Sequence, residues 1–109
     1  MINNVVLMGK IDSDIKLYNV DIQGEESMPV AEFSLLVGRK GNVNKLDRLN
    51  ITTRNNTAYS CKRNLAKGMV CIVEASLRNR TDVDVEIIAH AVYSPTKNIG
   101  GVNHEVSRL

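Results

Sequence analysis

Aromatic side chains are scarce in this sequence, which has no tryptophan, one phenylalanine and three tyrosines among 109 residues. Cysteine is also rare, and Cys61 and Cys71 form no CxxC motif and have no pair of histidines nearby. This spacing argues against a zinc site, so we predict two buried free thiols and no cofactor. His90 and His104 are far apart and belong to no recognisable nucleophile–histidine–acid pattern, so we do not expect an enzyme.

Long apolar runs are lacking as well. No stretch approaches the roughly 20 apolar residues that span a membrane, and the opening MINNVVLMGKI has no basic segment of the kind that begins a secretory signal. We therefore expect a cytoplasmic protein. The composition, 43% hydrophobic and 24% charged, is that of an ordinary globular chain. We assign residues 1–95 to a single domain and residues 96–109 to a C-terminal tail.

Positive charge is concentrated in the middle of the chain. From Arg39 to Lys67 there are eight basic residues and one acid, a net charge of +7, while the other residues sum to −5 and the whole chain to +2. A local cationic surface on a nearly neutral protein favours a polyanionic partner. The alternative is a charge cluster that only solvates one face.

Alternation of apolar and polar residues predicts five strands, which are Asn4–Ile11, Val30–Arg39, Arg48–Arg54, Met69–Arg80 and Val83–Tyr93. The polar segment between the first two is interpreted as a loop with short pairing around Lys16–Val20. On the second strand we expect one core-facing row, formed by Ala31, Phe33, Leu35 and Val37.

A helix is predicted after the third strand. Its core-facing stripe has helical spacing and consists of Ala58, Cys61 and Leu65. The expected N-terminal cap is one of Asn55, Asn56 and Thr57, and Lys67-Gly68 is the expected stop. Five strands with one helix between the third and fourth is the element order of an oligonucleotide/oligosaccharide-binding (OB) barrel. We therefore predict an all-β fold with one helix, built as a five-stranded OB barrel.

Several segments, taken in order, carry a family resemblance over roughly residues 1–95. They are NNVVLMGKI, VAEFSLLV, the stretch from Asp47 to Gly68, VCIVEASLRNR and EIIAHAV. This ordered set resembles bacterial and phage single-stranded DNA-binding proteins. The resemblance implies an OB barrel that assembles as a dimer or tetramer and binds single strands through phosphate contacts and base stacking.

The third strand carries the centre of the expected binding site. Arg48 and Arg54 resemble the family's stacking positions with arginine in place of an aromatic residue, and a guanidinium group both stacks on bases and pairs with phosphates. For Arg78, an ion pair with Glu74 or Glu32 is an equal alternative. The predicted nucleic-acid-binding residues are Arg39, Lys40 and Lys45 in a hairpin loop, Arg48, Asn50, Thr52 and Arg54 on the sheet platform, and Arg78 and Arg80 beside the groove.

The sequence departs from the family pattern in ways that change the expected binding. Few residues can stack on bases, so affinity should depend on phosphates and fall steeply with salt. The hairpin loops, Lys40–Lys45 and RNRTDVD, are short, so we expect a shallow groove. The chain ends in HEVSRL without the family's acidic tip, which leaves open how replication or recombination proteins would be recruited.

Other interpretations remain open at this stage. Asp82, Asp84 and Glu86 alternate on one predicted strand face, and we interpret them as a solvated edge turned away from any phosphate site rather than as a metal site. A replication-restart accessory similar to primosomal replication protein N, or a barrel that acts only as a protein-interaction adaptor, are the functional alternatives. RNA binding is not excluded by a site of this kind. The first strand is apolar on both faces and is the expected surface for a homo-oligomer.

Overall fold

The structure is a computed structural model in which residues 1–21, 27–81 and 85–95 are described. These residues form six strands and one helix. In chain order they are β1 (Val5–Ile11), β2 (Lys16–Val20), β3 (Met28–Arg39), β4 (Asn42–Arg54), α1 (Asn55–Asn64), β5 (Val70–Arg78) and β6 (Glu86–Tyr93). The helix has ten residues, and none of the described segments is a helix long and apolar enough to cross a membrane.

The strands close into a barrel. The sheet order is β1-β5-β6-β4-β3, and β1 also pairs with β3, which closes a ring of five strands. Neighbours are antiparallel except β4 and β6, which run parallel where Thr52 lies beside Ile88. The predicted five-stranded OB barrel, with its helix between the fourth and fifth strands as numbered here, is confirmed.

The sixth strand is the short pairing predicted around Lys16–Val20. β1 pairs with β3 at Leu35 and Leu36, and β2 pairs with the same strand from Met28 to Glu32. β1 and β2 therefore occupy successive parts of one edge of β3. The close approach of β1 to β3 requires Gly9, because a Cβ at this position would collide with the carbonyl oxygen of Leu36.

The core fills the barrel and extends to the helix. Phe33 and Leu35 are buried as predicted from their phase, and Val37 packs against the core while partly buried. The helix adds its predicted stripe of Ala58, Cys61 and Leu65. Both cysteines are buried free thiols, and burial raises the pKa of Cys61 to about 12 and that of Cys71 to about 11.

The helix starts without an intervening loop. β4 ends at Arg54 and the helix begins at Asn55, whose φ of 56° lies in the left-handed region. Asparagine tolerates this region better than most residues. The predicted side-chain cap at Asn55, Asn56 or Thr57 is wrong, because Arg54 takes the cap position and no side chain caps the helix. The helix also ends at Asn64, before the predicted stop, although Gly68 has the expected positive φ of 97°.

Strand boundaries differ from the predictions mainly at the β3–β4 hairpin. The two strands pair regularly until Gly38 faces Leu46; the register then shifts so that Arg39 faces Asn42, and Lys40 and Gly41 form the turn. Residues 42–45 of the predicted loop from Lys40 to Lys45 are therefore part of the strand, although the ladder is irregular there. Leu77, which has the same strand phase as the buried Ala75, is exposed near the end of β5. Predictions for Asp82–Asp84 and for the tail, residues 96–109, lie outside the described residues.

Candidate nucleic-acid interface

The outward residues of β4 define the centre of a polar surface. Leu49 and Ile51 turn inward against the core, so alternation turns Arg48, Asn50 and Arg54 outward. We call the surface formed by Arg48, Asn50, Arg54, Arg78 and Arg80 the basic face. The structure thus places the predicted strand and groove residues on one side of the barrel, with Thr52 as the exception.

Thr52 has outward phase but is buried, with 3% of its surface exposed. It faces Glu32 across β3 and Ile88 across β6. On the parallel strands β4 and β6, Arg54 lies two residues after Thr52, and Glu86 lies two residues before Ile88. The contact between Arg54 and Glu86 therefore runs diagonally over the Thr52–Ile88 pair. The prediction that Thr52 belongs to an exposed platform is wrong because neighbouring side chains cover it.

Three arginines converge on one carboxylate. Glu86 lies 3.7 Å from Arg54 Nη2, 3.6 Å from Arg78 Nε and 3.8 Å from Arg80 Nη1. These distances exceed those of direct hydrogen bonds, so the ion pairs are loose. Three guanidinium groups therefore share the single Glu86 carboxylate.

Glu86 corrects two expectations from the sequence. It was interpreted as part of a solvated edge, but its side chain is 15% exposed and lies among the predicted binding residues. Arg78 pairs with Glu86 and not with Glu74 or Glu32, because antiparallel pairing of β5 with β6 places Arg78 directly opposite Glu86. Within the described ranges, no group of three His, Cys, Asp or Glu residues is arranged to hold a metal ion; Asp82 and Asp84 fall outside them.

Arg48 forms a separate cationic position on the basic face. It is six residues from Arg54 on β4, which corresponds to about 20 Å along an extended strand. Its guanidinium pairs with Asp12, which follows β1, while most of the arginine side chain stays exposed. Asn50, also exposed, lies between the two arginines.

The hairpin residues are arranged differently from the prediction. Arg39 makes a two-point contact with Asp47, with Nη2–Oδ1 at 2.7 Å and Nε–Oδ2 at 3.3 Å, and this hydrogen bonding lowers the pKa of the Asp47 carboxyl. Lys40 is exposed at the turn. Lys45 lies within β4 rather than in a loop, and it is exposed where the register of β4 with β3 shifts, outside the basic face as defined above.

Three residues on or beside the basic face were not among the predicted site residues. Tyr18 on β2 donates a hydrogen bond from its hydroxyl to Glu32 on β3. Burial first, and then this bond to the carboxylate, raise the pKa of Tyr18 to about 12. The sequence does contain a signal for Glu32: it has the opposite phase to Ala31 and Phe33, which marks it as outward. Leu46 was missed in the same way, since it shares the phase of Arg48 and is exposed.

A second outer surface is apolar. Val6 and Met8 on β1 are 61% and 59% exposed, and Met8 lies beside Ile72 of β5. We call the surface formed by Val6, Met8 and Ile72 the apolar face. β1 pairs with β5 from Val5 to Lys10 and with β3 only at Lys10 and Ile11. Within the described residues, the other edge of β1 before Lys10 has no strand beside it.

Comparisons with known proteins agree with this fold. No protein-family model matches the sequence, and no curated protein matches it either. The chain is similar in structure to an SSB domain from Synechococcus, with a TM-score of 0.69 and 16% identity, over 84% of this chain and 94% of that one. It is also similar to the single-stranded DNA-binding protein of Thermus aquaticus, with a TM-score of 0.71 and 22% identity.

That second similarity covers 87% of this chain and 41% of the Thermus aquaticus chain, so this chain spans less than half of that protein. A third solved structure, the dimeric N-terminal domain of PriB from Thermoanaerobacter tencongensis, gives a TM-score of 0.65 and 24% identity over 84% of this chain and 94% of that one. Because all three identities are below 25%, these structural similarities establish the fold alone. The family resemblance inferred from the sequence is thus confirmed at the level of the barrel.

Proposed function

We propose that this protein binds single-stranded DNA with little sequence specificity through the basic face, and protects it during replication, recombination or repair. The observation that carries the proposal is the row of exposed or partly exposed arginines on one side of an OB barrel. Solved proteins with the same fold include an SSB domain and a protein described as a single-stranded DNA-binding protein. The role is that of a binding module in the cytoplasm, and not that of an enzyme.

The binding mode that we propose is mainly electrostatic. Arg54, Arg78 and Arg80 provide a cationic cluster at one end of the basic face, and Arg48 provides a second position about 20 Å along the strand. A single strand that crosses Asn50 would contact both. Phosphate binding of this kind releases counterions, with a slope of about −0.7 in log affinity per phosphate contact on a single strand.

The proposed functional unit is a homo-oligomer of the barrel formed by residues 1–95. The apolar face and the adjoining edge of β1 favour a second copy of the chain, because β1 offers both unpaired backbone groups and exposed apolar side chains. One of the solved neighbours, the PriB domain, is itself described as dimeric.

A replication-restart accessory is the second candidate function. It is favoured by the similarity to the PriB domain, which has the highest sequence identity of the three solved structures compared here. Both candidates require single-strand binding. A protein-interaction adaptor is less favoured, because the central platform is polar and cationic instead of apolar. Whether the protein also binds RNA is tested by the binding assay described next.

The proposed function is tested by fluorescence anisotropy with a labelled oligo-dT, an equal-length oligo-U and an unlabelled duplex competitor. For about five phosphate contacts, raising the salt from about 50 to about 200 mM should lower the affinity about a hundredfold. Duplex should compete poorly. No binding at low salt would overturn the proposal.

The position of the site is tested by Arg54→Ala/Arg80→Ala. Losing two phosphate contacts should lower the affinity at least tenfold and reduce the salt slope by about 1.4. Arg63→Ala/Lys67→Ala removes the same charge from the region of the helix, where both residues are exposed. An equal loss in both double variants would mean that net charge, and not the basic face, determines binding.

A further inference from the structure

A small pocket lies between the basic face and β2. It has a volume of about 210 Å³, which is below the roughly 300–1,000 Å³ of pockets that hold drug-sized ligands. Its apolar wall comes from Val20, Met28 and Val30. Its polar lining consists of Tyr18, Glu32, Thr52, Arg54, Arg80 and Glu86. A pocket of this size and composition suits one flat polar ring.

Thr52 supplies an independent indication of a ligand. Its side chain lines the pocket, and its Oγ1 is buried with no hydrogen-bond partner among the described residues. A buried hydroxyl without a partner is energetically costly, and most such groups in proteins are satisfied. A ligand whose polar edge displaces the loose Arg54–Glu86 contact over Thr52 would provide the missing hydrogen bond.

The polar lining combines acceptors and donors. Glu32 accepts a hydrogen bond from Tyr18, and a carboxylate has about four acceptor sites, so most of its capacity remains for a ligand. Arg54 contributes guanidinium donors, and its contact with Glu86 at 3.7 Å is loose enough to be exchanged. The exposed fraction of Tyr18 is 42%, which leaves part of its ring accessible for stacking.

We propose that this pocket holds one guanine base, with the Glu32 carboxylate on its N1–H and N2–H₂ donors and Arg54 on its O6 and N7 acceptors. The inference rests on the proposed function, and it adds a preferred base to an otherwise non-specific site. Guanine fits because its major-groove edge carries two acceptors and it alone has an exocyclic N2 amine. Thymine offers one N–H donor, and adenine lacks O6, so neither satisfies both the carboxylate and the arginine.

The test measures anisotropy with four oligonucleotides: oligo-dT, and the same strand with one central dG, dI or dA. We expect the dG strand to bind about tenfold more tightly than oligo-dT, as one well-formed bidentate contact allows. The dA strand should bind no more tightly than oligo-dT. The dI strand, whose base lacks the N2 amine, should show a much smaller increase in affinity than the dG strand. Tight binding of oligo-dT without a dG preference would overturn the pocket assignment alone. If no strand binds, the proposed function also fails.

The source of the base is tested by competition with guanosine monophosphate. Displacement of the dG strand at micromolar concentrations would assign the pocket to a free guanine nucleotide. Displacement only at millimolar concentrations would assign it to a base within a strand. Either result, with adenosine monophosphate inactive, supports guanine recognition; equal competition by the two nucleotides overturns it.

Two variants separate base recognition from charge. Glu32→Gln removes a negative charge and should raise oligo-dT affinity slightly, yet it should abolish the dG preference. A purely electrostatic role would raise the affinity for both strands equally. Thr52→Val removes only the unpartnered hydroxyl and should reduce the preference about threefold while the fold is retained.

Glu74→Gln is the matched control. Glu74 accepts a hydrogen bond from the Tyr93 hydroxyl at 2.8 Å, so the same chemical change is made at a second tyrosine–glutamate pair away from the pocket. It should leave the dG preference at its wild-type value. A preference that survives in both Glu32→Gln and Thr52→Val, or that is lost in Glu74→Gln as well, would overturn the proposal.

Discussion

A tyrosine–glutamate hydrogen bond lies on each of two outer surfaces of the barrel, and the two pairs have different neighbours. Tyr18 and Glu32 join β2 to β3 beside the arginines that surround Glu86. Tyr93 and Glu74 join β6 to β5, where Glu74 lies opposite Val6 of β1. The first pair thus borders the basic face, and the second borders the apolar face.

The comparison shows that the neighbours of such a pair, and not the pair itself, determine what its surface can bind. Beside the basic face, the carboxylate lines a pocket with guanidinium groups and a buried hydroxyl. Beside the apolar face, it adjoins exposed aliphatic side chains and a strand edge. One closed sheet therefore separates a surface suited to nucleic acid from a surface suited to a second copy of the chain.

The largest expected effect comes from Gly9, because both faces depend on closure of the barrel. Gly9→Val places a side chain against the Leu36 carbonyl and should lower the free energy of unfolding by about 3 kcal/mol. Urea unfolding measures this change. Gly38→Ala is the control, since a Cβ there has nothing within 4 Å. Equal stability of the two variants would show that closure of β1 on β3 is not required.

The next effect separates the two faces. Val6→Thr/Met8→Gln keeps the charge and removes apolar surface from β1. With two copies of each side chain in a dimer, self-association should weaken about a hundredfold, as measured by sedimentation or light scattering. Oligo-dT binding per chain should change little. Leu46→Gln alters an exposed residue outside the apolar face and should leave self-association unchanged. A wild-type chain that is monomeric at all concentrations would contradict the proposed oligomer.

A smaller effect is expected at the centre of the basic face. Glu86→Gln removes the carboxylate shared by three arginines. Oligo-dT affinity should rise about fivefold and the salt slope should steepen by about 0.7, while the free energy of unfolding falls by up to about 1 kcal/mol. Glu74→Gln again serves as the control and should leave the salt slope unchanged. Weaker binding by Glu86→Gln would mean that Glu86 organises the arginines for the ligand.

An effect that appears only at alkaline pH concerns the core that supports both faces. Burial raises the pKa of Cys61 to about 12 and that of Cys71 to about 11, from 9.0. Above pH 9 these thiols ionise in the unfolded chain and remain protonated in the folded one, so stability should fall as the pH rises from about 9 to about 11. Urea midpoints across this range measure the fall. Cys71→Ala should make it shallower; an unchanged slope would show that Cys71 does not contribute.

The sequence was sufficient to predict the architecture, because the buried residues of each element repeat with the period of a strand or of a helix. Phe33 and Leu35 alternate on a strand, and Ala58, Cys61 and Leu65 repeat with helical spacing, so their burial could be predicted from neighbours in the chain. The sequence signal for the pairing of Lys16–Val20 was weaker, but it was sufficient to predict that pairing. The loop between β3 and β4 was predicted to be longer than the turn at Lys40 and Gly41, because no local pattern reports the strand that continues past the register shift at Gly38.

The site was less predictable because its decisive contacts join distant segments. Thr52 is buried by side chains from its own strand and from β6, and no local pattern reports that. Glu86 lies among the arginines only because β6 runs parallel to β4 and antiparallel to β5. The binding role of the predicted arginines stays a prediction, whereas the position of Glu86 among them could be identified only from the fold.

The direct passage from β4 into the helix has a consequence for the energetics of binding. Arg54 ends the strand, and Asn55, with its left-handed backbone, begins the helix, so no flexible linker separates the arginine from two regular elements. Its backbone is consequently fixed before any ligand arrives. Little main-chain entropy remains to be lost there on association, and any displacement of Arg54 by a bound strand would have to tilt the helix with it.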